Sequence, residues 1–277
     1  MKIAAIVTSY NPDIDHLEYN INSYLPWIDH LVIWENTPRE KSNLDQLIQR
    51  LQNEKVTVRT TEKNEYLALP FNKTIRWAQK EGYTHLLTMD QDSCFSGDGF
   101  GRFIEKVKTC NDDAVAIFAP NTHHTSDHES KTIYIEQGSV YTSGSIYKME
   151  MFDKIGGFRE DFAIYCLDVE MCMRARKNGY KIALFTDIYM QHFEGYKTKG
   201  LLGITINNYS AQSTYFYVRN NLLLWKIYPD DFTFSSKYKF LKYHVIFRIL
   251  KIAFEKERTS KLKSLFLGLL HGMKTAV

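Results

Sequence analysis

The chain has no run of 18 or more apolar residues, so no segment is long enough to predict a membrane-spanning helix. Its four cysteines, Cys94, Cys110, Cys166 and Cys172, form no C-x-x-C pair. No secretory leader precedes the first predicted strand, and the cysteine usage predicts a reduced, cytoplasmic setting rather than a disulfide framework. No G-x-x-x-x-G-K-[ST] is present, which excludes the usual P-loop nucleotide triphosphatases. There is neither an internal repeat nor a low-complexity segment. Net charge is small, +3 from 35 Lys and Arg against 32 Asp and Glu, so the balance does not predict a protein that coats nucleic acid.

What is present is ordinary globular material. The 277 residues are 44% hydrophobic and 24% charged, enough for one large α/β domain or two smaller units and too apolar for extended disorder. Aromatics reach 14%, with 18 Tyr and 17 Phe, most of them expected in packing. Charge is unevenly spread. From Ser235 to Val277 ten Lys or Arg stand against two Glu.

Along the chain, apolar β-branched runs alternate with helical spacing. IAAIVTSYNP (3–12) reads as a buried strand entering a loop. A helix is predicted over 14–25, a strand over 30–37, and a helix carrying Leu44, Leu47, Ile48 and Leu51. A third strand near 55–61, a helix over 71–81 and the strand HLLTMD follow, the last delivering Asp90. DAVAIFAP (113–120) is another strand, a helix over 168–178 ends at Gly179, and YKIALFTDIYMQH reads as a final strand pair. Alternating strands and helices predict a mostly parallel sheet flanked by helices. Ligands of such sheets bind beyond the strands' carboxyl ends. Thr8 to Asn11, Glu35-Asn36 and Asp90 to Asp92 all fall at such ends.

Two features carry less. GDGFG (97–101) would need its third fingerprint glycine at position 102, which is Arg102, so it reads as a loop or helix cap. His123, His124 and His128 sit in a polar stretch and read as solvated rather than as a metal site. The D-x-D at Asp90 and Asp92 is the stronger signal. Two carboxylates offer hard oxygen ligands suited to Mg²⁺ or Mn²⁺ held together with a diphosphate. Asp168 and Glu170 open the predicted helix at 168, where the dipole tolerates acids, and provide a candidate base.

The ordered set TSYNP (8–12), ENT (35–37), NEYLALPFN (64–72), MDQDS (89–93), TSGS (142–145), IGGFREDF (155–162), LDVEMCMRARKNGYKI (167–182), HFEG (192–195) and YVRN (217–220) resembles the family 2 glycosyltransferases, within them the bacterial rhamnosyltransferase-like branch. The likeness covers about residues 1–225. It implies a GT-A fold: a Rossmann-like mixed, mostly parallel sheet with flanking helices over 1–200, and a basic helical extension over 201–277. It also implies an inverting, metal-dependent transfer of a sugar, rhamnose first, from a nucleoside-diphosphate sugar (dTDP-rhamnose or a UDP-hexose). The acceptor is a saccharide or lipid-linked glycan of a growing cell-surface polysaccharide.

Carried over, the resemblance places Thr8, Tyr10, Asn11, Glu35, Asn36, Asn64 and Asn72 around the donor nucleotide. Asp90 would contact ribose or metal and Asp92 the metal. Ser143, Gly144 and Ser145 would border the donor sugar, Asp168 would be the general base, and His192 would close on the metal or diphosphate. Arg219 and Asn220 would close the site from the C-terminal part. The chain departs from the family at Glu35, where Asp is usual, at Tyr66, where Gly is common, and at Tyr165, Cys166 and Leu167.

Two other readings compete. One is a nucleotide-sugar or glycan-binding module without catalysis. The other is a sugar-nucleotide nucleotidylyltransferase, disfavoured because TSYNPDID has neither glycine nor a basic residue for a triphosphate loop. The tail segment 237–257, apolar at helical spacing with Lys and Arg between, reads either as a packed helix with a solvated basic face or as a peripheral contact with an anionic inner leaflet.

Overall fold

The structure, a computed structural model, describes residues 1–122, 131–192, 197–199, 205–207 and 209–276. His123, His124 and His128 lie outside these residues, as does the side chain of His192. The chain divides into two compact units, Met1–Ala163 with Leu167–Phe193, and Ile164–Cys166 with Glu194–Val277. The division falls a few residues before the expected position 200 and takes three residues near the predicted base into the second unit.

The first unit is built on β1 (Ile3–Ser9), α1 (Ile14–Asn22), β2 (His30–Glu35), α2 (Leu44–Leu51), β3 (Val56–Thr60), α3 (Ala68–Lys80), β4 (His85–Asp90), β5 (Ser93–Phe95), α4 (Gly99–Lys108), β6 (Val115–Asn121), β7 (Thr132–Tyr134), β8 (Ile146–Lys148), α5 (Met149–Ile155), α6 (Leu167–Lys177) and β9 (Lys181–His192). The sheet order is β3-β2-β1-β4-β8-β6-β9-β5, with β7 on β9. The run β3-β2-β1-β4 is parallel throughout, and β6 runs parallel to β9, whereas β8, β7 and β5 pair antiparallel. The expected α/β architecture is therefore present.

Sequence dictates the centre directly. Every residue of β1 is buried, as a parallel strand covered on both faces requires. Edge strand β3 is largely open to solvent. Leu17, Ile21, Leu47, Phe100 and Phe103 come from flanking helices into one core with Val7, Ile33 and Met89. The GDGFG stretch leads into α4, as expected of a cap; a Cβ on Gly101 would run into the Trp27 ring, which explains the glycine there.

The predicted final strand pair is instead one strand of 12 residues. Its first half pairs with β6 and β7, and its end, Met190 to His192, pairs with β5. A register shift between Pro120 and Asn121, where the β9 partner jumps from Phe185 to Tyr189, interrupts the ladder with β6 just before that end. Such a continuous strand with an irregularity inside reads in sequence as two.

The second unit contains β10 (Lys197–Lys199) and β11 (Thr205–Asn207), paired antiparallel, and α7 (Ala211–Ile227), α8 (Phe234–Phe240), α9 (Phe247–Ile252) and α10 (Arg258–Lys274). A π-helical stretch, Leu241–Ile246, joins α8 to α9 without a break. It brings Phe240 and His244 into a stack, both rings against Tyr217 of α7. Helix α10 approaches α7 closely because Gly268 and Gly272 have no side chain; a Cβ on Gly268 would lie 2.7 Å from the Tyr215 carbonyl oxygen. Asn220 of α7 donates to the carbonyls of Ile164 and Tyr165, which ties those residues to this unit.

Not all of the tail's positive charge is solvated. Arg248 and Lys261 are buried, and both bind Glu255, with Arg248 Nη2 at 3.0 Å and Lys261 Nζ at 2.8 Å.

Candidate functional site

Parallel register aligns the candidate residues of β1, β2 and β4. Thr8 stands beside Asp90 on one side and Trp34 on the other, and Ser9 stands beside Glu35, which stands beside Thr60. The carboxyl ends of β1, β2 and β4 thus present one row, and the loops that follow are tied together by side chains.

Gln91, the middle residue of D-Q-D, does most of this tying. Its Oε1 accepts the Tyr10 N–H at 2.7 Å, its Nε2 donates to the Tyr10 carbonyl, and its own carbonyl accepts from Asn20 Nδ2 at 2.7 Å. On the other flank the Asp90 N–H donates to Ser143 Oγ at 3.0 Å, and Ser143 Oγ meets Ser93 Oγ at 2.9 Å. Asp90 and Asp92 are half-buried between these anchors. The backbone alone fixes where the aspartates start; Gln91 and Ser143 fix how they are presented.

The T-S-G-S segment backs the aspartates. Ser143 and Ser145 are 2% and 0% exposed, and Ser145 Oγ donates to the Tyr141 carbonyl. Gly144 has φ +80, and a Cβ there would sit 2.5 Å from Met190 Sδ and 2.8 Å from Pro120 Cγ, so only glycine fits. These hydroxyls are therefore occupied beneath the D-Q-D rather than turned to an open surface.

The residues expected on the nucleotide side divide likewise. Tyr10 is exposed, Asn11 is exposed with φ +46, and its N–H donates to Thr37 Oγ1 at 2.8 Å. Asn36 joins two loops, donating to the Tyr66 carbonyl at 2.8 Å and accepting from the Glu65 N–H at 2.9 Å. Asn64 accepts the Tyr66 N–H at 2.9 Å. Tyr66, standing where the resembled family commonly has Gly, has φ +58, so the loop shape that favours glycine is kept by a residue strained into it. Asn72 is buried and its amide makes a two-way bond to Phe158, donating to the carbonyl and accepting the N–H, each at 2.7 Å. It is placed to hold the Gly157-Phe158 turn. Glu35 is 6% exposed and accepts from Ser42 Oγ at 2.8 Å; burial raises its carboxyl above the ordinary range despite the Ser42 and Thr37 hydrogen bonds.

The chain enters α6 through an unusual backbone. Ala163, Tyr165 and Cys166 have φ of +57, +65 and +60, none of them glycine. Left-handed non-glycine residues cost about 1–3 kcal/mol each and gather at functional sites. The Ala163 carbonyl accepts from both the Leu67 and Ala68 N–H groups, which fixes the turn within the first unit. Asp168 follows in the first turn of α6, half-buried, with Oδ1 accepting the Val169 N–H at 2.8 Å. Burial pushes its carboxyl upward, partly offset by backbone hydrogen bonds. Burial, and to a lesser degree the Cys172 and Asp168 charges, also raises the Tyr147 phenol on β8, the strand beside β4.

Glu170 is different. It is 1% exposed and takes a two-pronged ion pair from Arg174, Nε to Oε1 at 3.0 Å and Nη2 to Oε2 at 2.9 Å, while Arg174 also donates to the Gly157 carbonyl at 2.7 Å. Of the two acids opening α6, Glu170 is committed to structure, while Asp168 makes no ion pair among the described residues.

Among the described residues no group of three His, Cys, Asp or Glu side chains is arranged to hold a metal alone. The Asp90–Asp92 pair nevertheless fits a hard divalent cation, since Mg²⁺ and Mn²⁺ are bound through one or two carboxylates plus phosphate oxygens and water. The backbone of His192 pairs with that of Ser93, next to Asp92. Arg219, in the second unit, donates to the Asn220 side chain at 2.9 Å. Gln91, Asn20 and Arg174 were not legible as site-building residues, because nothing in spacing distinguishes a clamp from a polar loop.

The chain is similar to several known proteins. The dTDP-rhamnosyl transferase RfbF of Shigella flexneri is 24% identical over 292 residues, covering 98% of this chain and 95% of its own. Among solved structures, GalNAc-T7 with UDP, GalNAc and Mn²⁺ superposes with TM-score 0.61 at 13% identity, over 88% of this chain and 54% of that longer one. The mannosyltransferase PcManGT of Pyrobaculum calidifontis, in complex with GDP-Man and Mn²⁺, gives 0.57 at 11% identity over 100% and 76%. TarS 1-349 of S. aureus with UDP-GlcNAc gives 0.57 at 15% identity over 99% and 81%. These structural likenesses establish the fold. The family model "Glycosyl transferase family 2" matches residues 5–178, which contain both the D-Q-D and Asp168, and the chain belongs to that family.

Proposed function

We propose that the protein transfers a sugar, rhamnose first, from a nucleoside-diphosphate donor to a hydroxyl of a saccharide or lipid-linked glycan in cell-surface polysaccharide synthesis, with inversion at the anomeric carbon. The observation that carries this reading is the presence of a braced D-Q-D at the end of β4 and, at the start of α6, of a proton-avid carboxyl, Asp168, that makes no ion pair among the described residues. The rhamnosyl choice of donor, dTDP-rhamnose before UDP-hexoses, leans on the RfbF likeness.

Asp168 takes the acceptor's hydroxyl proton as its oxygen forms a bond to the anomeric carbon, and the bond to the diphosphate breaks on the opposite face. General-base help of this kind contributes about 10²–10⁴-fold. A half-buried carboxyl with a raised pKa is the better proton acceptor, and the strained turn before α6 holds it in place. Asp90 and Asp92 would hold Mg²⁺ or Mn²⁺, which when bound supplies positive charge against the departing diphosphate. Tyr10, Asn11 and Glu35 form the nucleotide side, while Asn36, Asn64, Asn72, Ser143, Gly144 and Ser145 shape the loops that carry it. His192 is the residue assigned to close on the metal or diphosphate. The protein works at the inner face of the plasma membrane, attached peripherally through its basic C-terminal helices.

The test is single-turnover transfer across a donor panel, dTDP-rhamnose and UDP-hexoses, with Mn²⁺ and then with chelator, and product configuration read by NMR. Metal-dependent transfer with inversion is expected. Donor binding without turnover for any acceptor would favour a non-catalytic module, and retained configuration would remove the single-base mechanism.

A further inference from the structure

The second unit carries charge inside and hydrocarbon outside. Along the continuous helix from Phe234 to Ile252, Val245 and Ile252 pack inward with Arg248, whose charge is met by Glu255. On the solvent side Tyr243, Ile246, Phe247, Leu250 and Phe254 recur at helical spacing and are 53%, 56%, 37%, 58% and 66% exposed. On α10 the side chains of Leu262, Phe266 and Met273 are likewise exposed, while Gly268 and Gly272 meet α7. Singly exposed apolar residues need no explanation, but a contiguous stripe marks an interaction surface.

Charge identifies the occupant. Between Thr233 and Glu255 the sequence contains no acid, and Glu255 is buried with Arg248 and Lys261. Lys239, Lys251 and Lys256 are exposed, with Lys242 half-exposed among them. A second copy of this chain would bring lysines against lysines along the helix with no acid of that helix to answer them. A lipid headgroup layer supplies the missing negative charge and accepts aromatic and aliphatic side chains at the same depth.

We propose that the helix 234–252 and Phe254 lie flat in an anionic bilayer surface, with the Tyr243–Phe254 stripe inserted at the headgroup boundary and the lysines at the phosphates. This deepens the peripheral attachment proposed above and rests on it. The buried Arg248–Glu255–Lys261 cluster fits the arrangement, because the inner face of the unit is where charge must be paired.

The experiment uses the full chain and vesicles without donor or acceptor, of phosphatidylcholine alone or mixed with phosphatidylglycerol. Cosedimentation with the mixed vesicles only is expected. The partition coefficient should fall at least about tenfold in Leu250→Glu/Phe254→Glu and in Lys239→Gln/Lys242→Gln/Lys251→Gln, with circular dichroism confirming the fold. In Tyr243→Trp, which keeps the stripe, the emission of the added indole should shift to the blue with mixed vesicles. Undiminished binding of the Glu variant, or no spectral shift, overturns insertion while leaving charge-driven attachment standing. No binding by the unaltered protein overturns both. A lipid-free dimer that Leu250→Glu/Phe254→Glu turns to monomer assigns the stripe to a second copy and overturns the proposal.

Discussion

Gln91 holds both backbone polar groups of Tyr10, accepting its N–H at 2.7 Å and donating to its carbonyl at 3.3 Å. The residue between the two aspartates is therefore the link between the loops after β4 and β1. Replacing it with Leu removes both bonds, while the Asn20 bond to the Gln91 backbone can survive. Two hydrogen bonds at about 0.5–1.5 kcal/mol each hold the two loops together; where nucleoside-diphosphate binding has to restore that order, affinity falls by about 5- to 150-fold. Calorimetry with UDP or dTDP and Mn²⁺ measures it; unchanged affinity would show that the clamp is idle.

The aspartates themselves should behave differently. Asp90→Ala or Asp92→Ala is expected to erase the difference between donor affinity with Mn²⁺ and with chelator, because one carboxylate leaves the ion and diphosphate under-coordinated. A mutant that still gains affinity on adding metal would remove that aspartate from the metal site.

Stability of the second unit depends on one acid. Glu255 is buried between Arg248 and Lys261. Burial pushes its carboxyl up, but the two cations more than offset this and leave it below the ordinary range. A depressed folded pKa stabilises above the unfolded value and is lost as pH falls through the folded one, so this contribution is full at neutral pH and fades in acid. Glu255→Gln leaves two buried cations unanswered, at about 3–5 kcal/mol. Adding Lys261→Met should restore part of the loss in denaturant titration. A Glu255→Gln protein as stable as the original would mean that water reaches the cluster.

The frame was legible because its signals are local. The all-buried β1, the strand ending at Asp90 and the helix opening at Asp168 follow from apolar runs and breaks, and the motifs fall where register later places them. What spacing could not reveal was side-chain commitment. Asn72 and Ser143 match a motif equally well whether they face a ligand or a neighbouring backbone, and the fold turns both inward. The tail misled for a related reason: Lys and Arg are expected outside, yet Arg248 and Lys261 are inside because a single acid, Glu255, lies within reach of both. Positive φ at Tyr66, Ala163, Tyr165 and Cys166 is likewise invisible in sequence, since none is the residue such a conformation prefers.

Asp168 bears the most consequential prediction. In Asp168→Asn the amide can still accept the Val169 N–H that the carboxylate accepts now at 2.8 Å, so the first turn of α6 should stand. Burial raises the Asp168 carboxyl above the ordinary range, so the folded protein holds this proton more tightly than the unfolded chain. Above the unfolded pKa its charge therefore opposes folding, and at neutral pH the neutral amide should leave the melting temperature unchanged or raise it. Transfer should nevertheless fall at least about a hundredfold, the lower range for a lost general base. Glu170 cannot take over, because both its oxygens are held by Arg174. In the unaltered enzyme the acid limb of kcat/KM should lie above the range of an ordinary aspartate, since activity needs the ionised form and ionisation is delayed by burial. Single-turnover transfer and a pH profile decide the matter together. Near-normal transfer in Asp168→Asn, or an acid limb that survives the substitution, would place the base on another residue.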